Sequence, residues 1–300
     1  MPDEIREINY LAAKTHYNVV VVGGGISGVA AAVSAVRRAA SVLLIEKGTI
    51  LGGLAACCHD APTAGYEGKL PGGIPGELSS IIKKHLASPG ESRAAGLSSA
   101  LEKYLSDEGI DTLFDTLFSK TVMHDGLCEG VIIETCAGRE YITSDMVVDA
   151  TGVACVMHRS GASCAQEDDY SSHCSITLRP HISRRLCGIY ELTETDRTKN
   201  FEDSIGFAAS DNSPECTLEI PYSSLVTREL KNIIAAGRSI SLSGAARKFT
   251  RSAAVSAVTG QAAGAACCLA LEKNTCLADI PIDLLKAWLT DFGTPLHYQA

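Results

Sequence analysis

Six consecutive residues, Gly23-Gly24-Gly25-Ile26-Ser27-Gly28, constrain this chain more than any other feature. They satisfy Gly-x-Gly-x-x-Gly, a pattern that carries little alone and much in context. Residues 18–22 form a short β-branched run, which reads as a buried parallel strand. Residues 28–38 read as a helix with a basic end, and residues 41–46 as a second buried strand ending at Glu46. A strand, glycine turn, helix and strand within 30 residues is the unit of an α/β fold with a parallel sheet. It is also the setting of a dinucleotide site. Gly23 permits the tight turn, Gly25 lets backbone approach a pyrophosphate, and Gly28 allows helix and strand to pack closely. The helix start, with Ile26 and Ser27, offers free N–H groups and a positive dipole end to the anion. Glu46 can accept hydrogen bonds from ribose hydroxyls and would repel a 2′-phosphate.

Composition bears on what surrounds this unit. The 38 Ala and 27 Gly residues make 65 of 300, against 16 aromatics, which favours close backbone packing. Two stretches of 20 residues carry no charge, 17–36 and 252–271. Each is long enough to span a bilayer, but Gly and Ala dominate, polar residues interrupt and Leu, Ile and Phe are sparse. No membrane span is expected. A net charge of −9 argues against a nucleic-acid partner. The polar, acidic start lacks a signal-type apolar region, so the expected location is cytoplasmic. None of the 12 cysteines forms Cys-x-x-Cys, so no zinc ribbon, iron–sulfur run or dithiol pair is expected, and no metal site. Most read as small hydrophobes.

Further along, helices are expected over 76–86, 97–108, 252–272 and 284–292, and strands over 112–122, 130–135, 146–150 and 233–236. Residues 156–216 are polar and irregular. The expected organisation is a discontinuous nucleotide-binding domain (1–60, 97–155 and 217–300) with a small cap or substrate region (61–96 and 156–216).

Four separated motifs carry a family resemblance. The first is the glycine turn with Glu46-Lys47, and the second Gly52-Gly53-Leu54-Ala55. The third is Val147-Val148-Asp149-Ala150-Thr151-Gly152. The fourth is Asn232-Ile233-Ile234-Ala235-Ala236-Gly237-Arg238 with Thr259-Gly260-Gln261-Ala262-Ala263-Gly264. In these the chain resembles the FAD-dependent oxidoreductases of the glutathione-reductase-like two-dinucleotide-fold superfamily. The resemblance implies a Rossmann-like, three-layer fold with a parallel central sheet and FAD between the first and last thirds of the chain. Gly23, Gly25, Ile26, Ser27 and Gly28 would hold the pyrophosphate, Glu46 the ribose, and Lys47 would lie beside the adenosine. Phe118 would contact the adenine. Gly52, Gly53 and Leu54 would run along the ribityl chain and flavin. Ala150, Thr151 and Gly152 would back the adenosine and pyrophosphate, and Gly237 and Arg238 would reach the ribityl or pyrophosphate. A turn holding Gly260, Ala262, Ala263 and Gly264 would aim amides at the flavin N1–C2=O edge. Two departures stand out: Ala40 replaces a turn glycine, and Val153-Ala154-Cys155 follows Ala-Thr-Gly where Asp is common.

Three residues are candidates for chemistry. Arg251 precedes the last long helix and is suited to a substrate carboxylate or a carbonyl near flavin N5. His59 follows the Gly52-Gly53 pair, with Cys57 and Cys58 between, and is suited to proton donation. His173 belongs to a basic cluster with Arg179, His181, Arg184 and Arg185, on an acidic protein, which suggests an anionic substrate. No second Gly-x-Gly-x-x-Gly is present, so electrons would come from a small organic substrate or an unknown donor or acceptor near the flavin. An assembly of identical subunits is left open. Two alternatives remain: a thiazole-synthase-like enzyme that consumes NAD, and a non-catalytic flavin-binding subunit.

Overall fold

The computed structural model describes residues 8, 10–57, 72–86, 93–167, 183–197, 199–209, 217–244, 246 and 252–297. The first unit is as the sequence predicts. Strand β1 (Ala13–Val22) leads through the glycine turn into helix α1 (Ile26–Val36), and β2 (Val42–Ile45) lies parallel to β1 with Val19 opposite Val42. Ten of the eleven α1 residues are buried, which is why the helix has no charged face.

Next come helix α2 (Leu54–Cys57), α3 (Gly73–Leu86), α4 (Arg93–Asp107) and strand β3 (Asp111–Leu113). Then β4 (Leu117–His124), β5 (Leu127–Thr135) and β6 (Gly138–Asp149) form an antiparallel meander. Strand β6 is long enough to serve two neighbours on one edge. Its first half pairs with β5, and its last residues pair in parallel with β11 (Ile233–Ala235), Val147 opposite Ile233. Its other edge runs parallel to β1. The parallel part of the sheet is therefore ordered β3-β2-β1-β6-β11, with the β5 and β4 strands extending it. All these parallel strands deliver their C-terminal ends to one side, where open α/β sheets bind ligands.

Helix α5 (Cys155–Arg159) follows β6. The stretch from 156 to 216, expected to be irregular, contains a hairpin of β7 (Cys164–Glu167) with β8 (Ser183–Leu186). Strand β9 (Ser204–Ala209) also lies there and pairs with β10 (Thr217–Pro221). Helix α6 (Ala253–Lys273) packs along α1, and α7 (Ile282–Asp291) packs on α6.

Both charge-free stretches are now explained. The first is strand, turn and helix rather than one segment. The second is α6, long and apolar enough to cross a membrane, but 89% of its apolar window is buried inside the protein. It is a core helix.

Two local expectations are corrected. The strand expected over 112–122 is two strands, β3 and β4, because Asp115 adopts φ 47° and turns the chain between them. The residue standing in for a turn glycine after α1 is Ala39 (φ 62°), whereas Ala40 is buried and donates its N–H to Ala35 O. That is a helix-ending αL position, which normally favours Gly.

Candidate functional site

Three turns converge at the C-terminal ends of β1, β6 and β11. Gly23 has φ +110°, and a Cβ there would lie 2.5 Å from Ala150 O, so the first turn touches the Ala150-Thr151-Gly152 turn directly. A Cβ on Gly28 would sit 3.0 Å from the Gly23 carbonyl carbon and closer to its oxygen. Gly25 behaves differently: an added Cβ meets no atom within 4 Å. It faces open space, where an approaching pyrophosphate needs backbone rather than side chain. Gly25 is also the N-cap of α1 and brings no side-chain cap, so the helix start keeps its amides for an anion.

Glu46 is oriented by backbone. Its Oε2 accepts from Gly24 N at 2.7 Å and its Oε1 from Gly48 N at 2.7 Å. Each oxygen retains a lone pair for a ribose hydroxyl. Lys47 beside it is exposed. Gly52 is tied to the same turn: its N–H donates to Gly24 O at 2.9 Å, and Gly25 bridges Gly52 in parallel. Gly53 follows at the contact with Gly25, and Leu54 opens α2, half-buried.

The third turn, Gly237–Ser239, is held from three sides. Gly237 N donates to Thr259 Oγ1 on α6 at 2.9 Å. A Cβ on Gly237 would lie 2.6 Å from Ser27 Oγ on α1 and 3.9 Å from Ser256 Oγ on α6. A Cβ on Gly152 would lie 2.6 Å from Arg238 Nη2, so that guanidinium rests on the Ala-Thr-Gly turn. The starts of α1 and α6 thus meet at Gly237.

This placement corrects the expectation for Gly260, Ala262, Ala263 and Gly264. They are not in a turn but lie inside α6, where their amides serve the helix. A Cβ on Gly264 would lie 2.9 Å from Ser34 Cβ and 3.0 Å from Ala31 C, and one on Gly260 2.9 Å from Ala30 Cβ. These glycines let α6 approach α1. The α6 N-terminus is at Ser252, whose Oγ accepts from Val255 N at 3.2 Å.

Phe118 is buried on β4, with the Arg159 guanidinium 6.0 Å from its ring. Of the cap cluster, Arg184 and Arg185 are on β8, and Arg185 lies 4.0 Å from Glu191. Arg251, His59, His173, Arg179, His181 and Cys58 lie outside the described residues. Cys57 ends α2.

Asp149 and Thr259 stand within the motifs but no role is read from their side chains, and Ser239 and Ser252, which also support the turns, lie outside them. Only Ser252 carried a usable signal, a serine directly before an apolar helical run. Burial raises the pKa of the Cys155 thiol, and Arg159, Arg184 and Lys47 oppose that rise. Burial likewise pushes Cys128 to about 11 and both Cys164 and Cys268 to about 12. These are thiols at neutral pH, as small-hydrophobe behaviour requires. Among the described residues no cluster of three metal-ligating side chains occurs.

Fold and site together define a dinucleotide-binding α/β protein. A family model described as FAD dependent oxidoreductase matches residues 18–176 and 182–289, and the chain belongs to that family. Its cofactor is FAD. The open cradle at Gly25 and the paired acceptors of Glu46 fit that group. No curated protein matches the sequence. Among solved structures, a triple mutant of the flavin-dependent brominase Bmp2 shares the fold, at 14% identity and a TM-score of 0.52, over 92% of this chain and 84% of that one. The Thermovibrio ammonificans protein THI4 is similar at 15% identity and a TM-score of 0.47, over 87% and 91% of the chains. An open-conformation flavocytochrome c3 fumarate reductase matches at 16% identity and a TM-score of 0.36, over 51% of this chain. This chain spans 42% of the flavocytochrome's length.

Proposed function

We propose that this enzyme moves a hydride between a small, anionic organic substrate and the flavin. The observation that carries the reading is the meeting of two helix starts at Gly237. The α1 amides suit the pyrophosphate, and the α6 first turn, capped by Ser252, suits a ring edge that gains negative charge on reduction. Bound FAD supplies the two-electron acceptor. The protein's own part is to bind and orient: Gly25 admits the phosphates, Glu46 takes the ribose, and Gly52 and Gly53 bring backbone alongside. Phe118, buried on β4, is assigned to the adenine side, and Arg238 to the phosphate or ribityl side.

Anionic substrate preference is supported by charge. Arg159, Arg184 and Lys47 act on Cys155, three residues beyond the Ala-Thr-Gly turn, with Asp149 acting against them, so basic side chains outnumber acidic ones there on an acidic protein. The 16 aromatics of the whole chain leave little for a large aromatic pocket. Arg251 remains the proposed substrate anchor, with His59 and His173 as proton-transfer candidates.

The test is an anaerobic screen following bleaching of the flavin absorbance. Small carboxylates should bleach it. Bleaching only by bulky aromatic compounds contradicts the substrate class. A flavin that photoreduces yet is reoxidised by no organic acceptor favours the non-catalytic subunit instead.

A further inference from the structure

Asp149 ends β6 beneath the site, fully buried, and none of the roles above uses its side chain. Its Oδ1 accepts from Thr151 N at 3.1 Å, Thr151 Oγ1 at 2.6 Å and Ser239 Oγ at 3.3 Å. Its Oδ2 accepts from Met157 N at 2.9 Å, at the start of α5. Ser239 completes a loop by accepting from Ala154 N at 3.1 Å, which holds Ala154 at φ 47°. The carboxylate therefore ties the 150–154 turn to the 237–239 turn, two segments more than 80 residues apart in sequence. The four groups donate to it, and two of them are backbone N–H groups on different oxygens, so both carboxyl oxygens must accept; burial raises its pKa and these hydrogen bonds oppose that rise. An asparagine there would turn an N–H toward another N–H or O–H, and an apolar residue would strand all four.

We infer that Asp149, bridged by Ser239, is a positioning residue for FAD: it locks two cofactor-holding turns together without touching the cofactor. This rests on the assignment of Ala150–Gly152 and Gly237–Arg238 to the FAD site. Burying a carboxyl group is costly, and donors from both turns and from the start of α5 offset that cost. Its hydrogen bonds thereby fix the relative position of the turns. Gly152 and Arg238 are in contact across the joint.

The experiment compares wild type, Asp149→Asn, Ser239→Ala and the double variant. FAD dissociation constants are measured by flavin fluorescence, and melting of the FAD-free protein is measured alongside. Asp149→Asn should weaken FAD by about 10–100-fold and Ser239→Ala by about 3–10-fold, the range for charged and neutral hydrogen bonds. The double variant should be no weaker than Asp149→Asn alone, because both changes break one bridge. Equal FAD affinity in all four proteins, with only melting lowered, overturns the inference and leaves Asp149 a structural residue. If Asp149→Asn does not fold, Ser239→Ala decides, since it removes one hydroxyl; unchanged affinity there also overturns it. A wild type that binds no FAD would instead overturn the cofactor-site assignment.

Discussion

Substituting Gly264 by alanine separates two roles that sequence alone confuses. Gly264 lies eleven residues into α6, about 16 Å along the helix from its start. An added methyl would overlap the Ala31 carbonyl oxygen on α1 and sit 2.9 Å from Ser34 Cβ, where carbon pairs prefer about 3.5 Å or more. Because the nearest atom is backbone, rotamer changes cannot relieve the overlap and the two helices must separate by about 1 Å, an overpacking cost toward the upper end of the usual range, about 2–3 kcal/mol. Alanine returns about 0.5–1 kcal/mol of helix propensity. The net loss is about 1–2.5 kcal/mol, or a fall of about 2–4 °C in melting temperature for a chain of 300 residues. The FAD dissociation constant of the folded variant should stay within about twofold of wild type. Thermal unfolding of the FAD-free protein and a fluorescence titration measure the two quantities. Unchanged or raised stability with FAD binding weakened tenfold or more would refute the packing argument, because it would put Gly264 against the cofactor.

Gly25→Ala should do the opposite. Its methyl meets no protein atom and its φ of −71° suits any residue, so stability should hold while FAD binding falls at least tenfold in the same titration. Ala39→Gly should raise the urea midpoint, since relief of the αL penalty of about 1–2 kcal/mol exceeds the added unfolded-state entropy of about 0.4–1 kcal/mol. Arg37 clamps Glu77 through paired bonds of 2.8 Å and also bonds Glu108, joining α1 to α3 and α4. That holds the Glu77 carboxyl below its ordinary 4.5, so its stabilisation is complete above about pH 4.5 and is lost as pH falls through the lower folded value. Urea unfolding across pH 3–6 should show this slope, and Glu77→Gln should flatten it.

The residues that were legible in the sequence are those whose chemistry is local. Gly23, Gly25 and Gly28 are spaced along one strand–helix junction, and Glu46 sits at the end of the next strand, so pattern and geometry coincide. Gly260 and Gly264 were misplaced because a glycine at a helix crossing and one at a turn look alike. Their i, i+4 spacing within a charge-free run is the signal that points to a packed helix face. The β3–β4 break was hidden because β-formers continue through it and only the φ of Asp115 reveals the turn. Asp149 could not be recognised as a hub, since its partners Ser239 and Met157 come together only in the folded sheet. Arg251, His59 and His173 lie on segments outside the described residues.

FAD is expected to lie between the first and last thirds of this chain. Heat or acid release of nucleotide from the purified protein, identified and quantified by mass spectrometry against protein concentration, tests it most directly. The account predicts FAD, approaching one per chain after reconstitution, and a visible flavin spectrum. A colourless protein that cannot be reconstituted, or one that releases an NAD-derived nucleotide instead, would contradict it.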